Sequence, residues 1–404
     1  MNHKFPRLVT LGLTVILALA CVACATVDRS TVNPVQPAAK PDPVPTEDLQ
    51  ARAAEIVSGM TLKQKVAQLF IITPEALTEY DTVTAAGRVS KGAFTANPVG
   101  GLIYFARNLE NPDQTKTMLS NMQTYSVEAL GIPLFLCVDE EGGDVVRVAG
   151  NPAFGITNVG DARVLGEIGD ATVAAQAAKT IAGYLTTLGF TVNFAPVADM
   201  VEDPAASSLG DRSFGGDADT VAAMVSAQVQ AYLEGGILPC VKHFPGIGAA
   251  AGDSHDGAIS VTSTLAQLQA KDLVPFAAAI EAGVPFVMIG HVGVPSLVGS
   301  DMPASMSSII IEGLLRKDLG FEGLVITDAL NMGAVRNLYT DRRMGVEALL
   351  AGVDVILMPA DYGAAYQGIL DAVKAGELTE ERIDQSVTRI VMAKLQLGYN
   401  APAK

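Results

Sequence analysis

Tryptophan is absent from the 404 residues, and tyrosine and phenylalanine supply an aromatic content of only 5%. A broad indole platform for stacking a long polymer cannot be built, so a sugar site in this chain must work through hydrogen bonds. Basic residues are scarce as well, with 27 Lys and Arg against 43 Asp and Glu, a formal charge of -16. A chain this acidic is a poor polyanion binder, which argues against nucleic acid as a partner. Cysteine is limited to Cys21, Cys24, Cys137 and Cys240. The last two sit inside apolar strand-like runs, unlike a disulfide framework, and the C-x-x-C of Cys21 and Cys24 falls within the leader segment, so a redox or zinc reading has no support. No apolar run reaches the roughly 20 residues that a membrane span needs. What remains, 49% hydrophobic and 17% charged, is a folded globular chain with at least one large core.

The N-terminus reads as a targeting segment. Lys4 and Arg7 precede an apolar run from Leu8 to Ala20, and small residues surround Cys21 and Cys24. Residues 1–24 are expected to be a signal peptide with a lipoprotein-like cleavage region, lipidated on Cys21 or Cys24. Residues 25–46 form a tether containing Pro34, Pro37, Pro41, Pro43 and Pro45, a composition that favours an extended spacer. The protein is thus expected to be exported and membrane-anchored, facing the periplasm or the cell exterior. Residues 47–404 are expected to form one catalytic domain and to act as a monomer.

In that domain, short runs of Val, Ile and Leu alternate with segments of helical period. Eight strands are expected: Val66 to Ile72, Gly101 to Phe105, Leu134 to Asp139, Thr191 to Pro196, Leu238 to Lys242, Phe286 to Gly290, Leu324 to Asp328 and Val353 to Met358. Helices are expected between most of them, including Asp113 to Leu130, Leu265 to Ala282 and Ser307 to Leu319, with Glu380 to Leu397 closing the chain. Thr61 with Gln64 and Thr264 with Gln267 have the spacing of capping boxes. The pattern is α/β, a (β/α)₈ TIM-type barrel, with a doubly wound open sheet as the alternative. Neither a G-x-G-x-x-G after the first strand nor a G-x-x-x-x-G-K-[ST] occurs, so no cofactor motif is present.

Charged residues gather where the apolar runs stop. Asp139-Glu140-Glu141-Gly142-Gly143 with Arg147 follows the third strand, Asp199 the fourth, Lys242 and His243 the fifth, His291 the sixth and Asp328 the seventh. In a barrel, loops at these strand ends build the active site. Asp253 and His255 lie two apart in a Gly- and Ala-rich loop, where an extended backbone would let the carboxylate orient the imidazole as a proton donor. An exposed polar loop tip would have the same composition. Asp328 is placed like a nucleophile at the barrel mouth, or like a cap on the following helix.

These motifs resemble the bacterial β-N-acetylglucosaminidases of glycoside hydrolase family 3. The resemblance runs from about Thr61 to Leu397 and rests on four segments: Lys242 through Asp253-Ser254-His255, Gly210-Asp211-Arg212-Ser213-Phe214-Gly215, the Asp139 to Gly143 turn, and Thr327-Asp328-Ala329-Leu330. It implies that Asp328 is a nucleophile, that an Asp253-His255 dyad serves as acid/base, and that hydrolysis retains configuration. It also implies that Asp139, Arg147, Arg212, Lys242 and His243 hold a non-reducing N-acetylglucosamine from a cell-wall or chitin-derived saccharide, giving exo action. Asp199 and His291 fall in family-like segments. Ile247 stands where relatives often have a second His, and Asp144 where many have Arg.

Three other readings compete. A neutral histidine after proton donation would not repel phosphate, so a glycoside phosphorylase, or a β-glycosidase of other sugar specificity, is one. A metal-dependent barrel hydrolase is the second, and it lacks both H-x-H after the first strand and H-E-x-x-H. A non-catalytic sugar-binding lipoprotein is the third, and it would need neither Asp328 nor His255.

Overall fold

The computed structural model describes residues 46–250, 252–254 and 256–397. The expected leader and the tether up to residue 45, with Cys21 and Cys24, lie outside the described residues, as does His255, while Thr46 begins the helix Thr46–Ser58. No described helix is long and apolar enough to cross a membrane.

Eight parallel strands form the expected (β/α)₈ barrel: β1 (Phe70–Ile72), β2 (Gly101–Ile103), β3 (Phe135–Val138), β4 (Val192–Asn193), β5 (Leu238–Phe244), β6 (Phe286–Ile289), β7 (Leu324–Thr327) and β8 (Ile356–Leu357). They follow one another around the sheet in chain order, with β8 paired to β1. A parallel bridge between Ile326 and Val355 closes the ring. A closed ring has no exposed edge, and the open-sheet alternative falls. Every residue of β1, β3, β6 and β7 is buried, which is why these strands read as continuous apolar runs rather than alternating ones.

Two expectations need correction. Val66 to Gln68 are helical, because the Thr61–Gln64 capping box starts a helix over Leu62–Gln68 and leaves only Phe70–Ile72 as strand. The expected helix Leu265 to Ala282 is two helices, Leu265–Ala270 and Leu273–Glu281. Pro275 lacks an N–H, and its ring would clash with the carbonyl of Lys271 four residues back, so one helix cannot run through. The segment Ile309–Asp318 is a π-helix. Among the elements that escaped the sequence reading are the helices Thr46–Ser58, Arg88–Ala96, Ala162–Ile168 and Tyr362–Lys374, and a two-strand pairing of Ile259–Ser260 with Val292–Gly293.

The foot of the barrel carries two buried ionisable side chains. Asp354 is fully buried and accepts from Arg316 Nη2 (2.6 Å), Arg389 Nη1 (2.9 Å), Ser386 Oγ (2.7 Å) and the Val325 N–H (3.1 Å). Lys394, also fully buried, donates to Gln68 Oε1 at 2.7 Å and lies over the Phe135 ring. These contacts tie the last helix to the strands and leave the opposite end, the mouth, to chemistry.

Candidate active site

Successive residues of a regular strand point to opposite faces, yet Lys242 and His243 both find carboxylates at the mouth. The β5–β6 register slips between Val241 and Phe244, and such a bulge re-aims side chains. Lys242 Nζ contacts Asp139 Oδ1 at 2.9 Å and Glu141 Oε1 at 2.6 Å. Arg212 meets Glu141 with two parallel bonds of 2.8 Å. Asp139, Lys242 and Arg212 therefore form one network through Glu141, a residue the sequence reading passed over. Burial works to raise the Glu141 carboxyl, but the charges of Lys242 and Arg212 outweigh it and hold it at about 2. Burial likewise works against the Lys242 ammonium, and Asp139 and Glu141 reverse this, so that its pKa is raised.

The turn that carries Asp139 and Glu141 is built by glycines. Gly142 and Gly143 have φ of 98° and 55°, and a Cβ on Gly143 would lie 2.1 Å from Asp161 Oδ1. The turn folds around Glu140, whose fully buried carboxylate accepts the N–H of Arg147 (2.6 Å), Val148 (2.8 Å) and Ala149 (2.8 Å) and the Tyr184 hydroxyl (2.9 Å). Asn193 on β4 clasps the Glu140 backbone through both its N–H and its carbonyl. Glu140 thereby holds the Arg147 backbone, and the Arg147 guanidinium lies 5.7 Å from the Phe105 ring centroid.

His243 Nδ1 lies 2.7 Å from Asp199 Oδ2, which also accepts the His243 backbone N–H. The other oxygen of Asp199 accepts the Ile247 N–H at 2.7 Å. Asp199 is thus the brace of the β5 end. Ile247, at the position noted as a departure, is buried, and its side chain faces Gly290.

Asp328, just after β7, receives the Ala329 N–H on Oδ1 at 2.7 Å. Burial works to raise its carboxyl, but His243, His291, the Ala329 N–H and Lys242 together outweigh it and depress the pKa. An ionised, part-exposed carboxylate facing cationic and donor groups can attack an electrophilic carbon. Asp253 is half-buried, and its carbonyl accepts the N–H of Asp256 and Gly257. The Ser254 carbonyl next to it accepts the Ala334 N–H at 3.1 Å, so the loop bearing Asp253 is fastened to the loop that follows Asp328. Its partner in the expected dyad, His255, lies outside the described residues. Both ring nitrogens of His291 already have partners, Ser305 Oγ and Ala329 O, and His243 Nδ1 is taken by Asp199, an arrangement unlike a shared metal centre.

A closed parallel barrel with carboxylates, cations and histidines gathered at the C-terminal ends of its strands has the active-site placement of the TIM-barrel enzymes. The model of the glycosyl hydrolase family 3 N-terminal domain matches residues 61–393, and the chain belongs to that family. It therefore belongs with the glycoside hydrolases, which act on O-glycosyl bonds. The chain is 33% identical to beta-hexosaminidase A of Pseudoalteromonas piscicida over 325 residues, 75% of this chain and 54% of the relative. It is 32% identical to beta-hexosaminidase LpqI of Mycobacterium tuberculosis over 403 residues, 96% of this chain and 97% of the relative. Among solved structures, a family 3 beta-N-acetylglucosaminidase from Paenibacillus sp. superimposes with a TM-score of 0.79 at 37% identity, over 86% of this chain and 65% of that one. The chain thus spans little more than half of the first relative and nearly all of the mycobacterial one.

Proposed function

We propose that the protein is a retaining, exo-acting β-N-acetylglucosaminidase that removes the non-reducing N-acetylglucosamine from cell-wall or chitin-derived saccharides. The observation that carries this reading is the ionised Asp328 carboxylate at the barrel mouth, in the field of His243, His291 and Lys242. The names of the relatives support the acetamido sugar as substrate.

In the proposed mechanism, Asp328 attacks the anomeric carbon as His255, aligned by Asp253, gives its proton to the departing glycosidic oxygen. The C–O bond breaks and a glycosyl ester on Asp328 forms. His255 then takes a proton from water, whose oxygen displaces the carboxylate, and two inversions restore the original configuration. Asp139, Arg147, Arg212, Lys242 and His243 hold the sugar hydroxyls. Among them Asp139 and Arg212 present the more exposed faces, with side-chain exposures of 18% and 25% against 3% for Lys242. A monomeric enzyme tethered through a lipid on Cys21 or Cys24, its catalytic domain over residues 47–404, completes the reading.

The test is nitrophenol release from 4-nitrophenyl N-acetyl-β-glucosaminide and from the matching β-glucoside, by the protein and by Asp328→Asn. Release from the acetamido sugar alone, lost in the variant, is the expected result. Equal release from both sugars would remove the acetamido specificity, and no release from either would overturn the enzymatic reading.

A further inference from the structure

His291 is 1% exposed and takes no part in the mechanism above. Its two nitrogens have different partners: Nδ1 lies 2.8 Å from Ser305 Oγ, and Nε2 lies 3.1 Å from the Ala329 carbonyl oxygen. A carbonyl can only accept, so Nε2 carries the hydrogen. Burial lowers the imidazole pKa, and in the neutral ring Nδ1 accepts from the Ser305 hydroxyl. The Ala329 carbonyl thus selects the Nε2–H form, and Ser305, itself fully buried, occupies the other ring nitrogen.

Ala329 is the residue after the nucleophile. Its carbonyl is held by His291, while its N–H donates to Asp328 Oδ1 at 2.7 Å. The Asp328 backbone is pinned separately, its N–H donating to Ile289 O at 2.9 Å. The chain of donors runs from Ser305 through His291 to Ala329 and ends on the carboxylate oxygen. The backbone just beyond His291 makes a second connection. Val292 and Gly293 pair with Ile259 and Ser260, and Val261 N–H donates to Gly293 O at 2.9 Å. The loop that carries Asp253 therefore returns to the barrel on the strand that His291 begins.

Resting on the proposed function, we propose that His291 is a positioning residue, which through Nε2–H on the Ala329 carbonyl and Nδ1 on Ser305 fixes the Asp328–Ala329 unit and registers it against the returning segment Ile259–Ser260. The alternative is a buried histidine satisfied for stability alone. Misplacing a reacting group by about an ångström costs on the order of 100-fold in rate, whereas a purely structural histidine would change the melting temperature and leave the folded enzyme's rate intact.

The experiment compares His291→Leu, His291→Gln and Ser305→Ala in the full-length protein. The readouts are kcat and KM on 4-nitrophenyl N-acetyl-β-glucosaminide, the rate of covalent inactivation by a 5-fluoro-N-acetylglucosaminyl fluoride, and the melting temperature. In His291→Leu, kcat and the inactivation rate should both fall roughly 10- to 100-fold, with KM changed less than about threefold. His291→Gln, whose amide offers a donor and an acceptor in place of the two ring nitrogens, should recover most of that loss. Ser305→Ala leaves the buried Nδ1 without its partner and loosens the ring's orientation, and should cost about 3- to 10-fold in kcat. A folded His291→Leu protein that keeps both rates within about twofold overturns the inference, as does a folded His291→Gln protein as slow as the leucine variant. Should His291→Leu fail to fold, Ser305→Ala decides, with an unchanged kcat overturning the inference. Failure of the unaltered protein to hydrolyse the acetamido substrate would bring down the proposed function and this inference together. An active protein with a flat His291 series would bring down this inference alone.

Discussion

Arg212 holds Glu141 through two parallel hydrogen bonds, Nε to Oε2 and Nη2 to Oε1, each 2.8 Å, across 71 residues of sequence. Glu141 also meets Lys242 at 2.6 Å, so a carboxylate with a 6% exposed side chain sets the spacing of two cations assigned to the sugar. Substituting Glu141→Gln should leave both cations without their shared anion. Breaking one partner of a buried ion pair costs on the order of 3–5 kcal/mol, so a lower melting temperature is expected. Loss of the sugar grip should also raise KM by about 10-fold or more. Steady-state kinetics beside a thermal melt check this, and an unchanged KM in the folded variant would contradict it.

The sheet was legible because most of its strands lie in short apolar runs, as parallel strands covered on both faces do. Boundaries were less legible where two signals competed. At Val66 to Gln68 the capping box at Thr61 prevailed over the apolar run, and at Lys271 the proline four residues later broke the helix. The helix Tyr362–Lys374 has its N-cap in Asp361, whose side chain accepts the Ala364 N–H, a signal the sequence reading did not use. In the site, Asp139, Lys242, His243 and Asp328 could be found from their places at strand ends, and Arg212 only through the family resemblance of its segment. Glu140 and Glu141 sat in the same acidic turn as Asp139, but their partners lie on remote segments, and nothing local separates a carboxylate that will face Arg212 from one that will gather three amides.

Lys394 makes the stability pH-dependent. Burial pushes its ammonium down from 10.5 to about 7. The folded state therefore favours the neutral amine, and protonation at Lys394 opposes folding. Its contribution is complete above pH 10.5, is lost progressively as the pH falls from there to about 7, and is constant below. Lys394→Met should raise stability near pH 7, by on the order of 4 kcal/mol at most. It should also remove that part of the rise toward pH 10.5. Denaturant melts of both proteins across this range measure the difference, and parallel curves would contradict the expectation.

Asp354 provides a control far from the mouth. Asp354→Asn leaves Arg316 and Arg389 without their buried anion. The expected loss is about 3–5 kcal/mol of stability, with kcat/KM per folded molecule within about twofold of the unaltered protein. Activity titrated against the folded fraction checks it, and a large fall in kcat/KM of the folded variant would show that the foot of the barrel reaches the site.

The central assignment is Asp328 as the nucleophile, and the most direct measurement is the mass of the trapped enzyme. After inactivation with the 5-fluoro-N-acetylglucosaminyl fluoride, intact-protein mass spectrometry should show one added glycosyl unit. Peptide mapping should place it on Asp328, and Asp328→Asn should show none. A label on another carboxylate, or turnover with inverted product and no adduct at any time, would contradict the assignment.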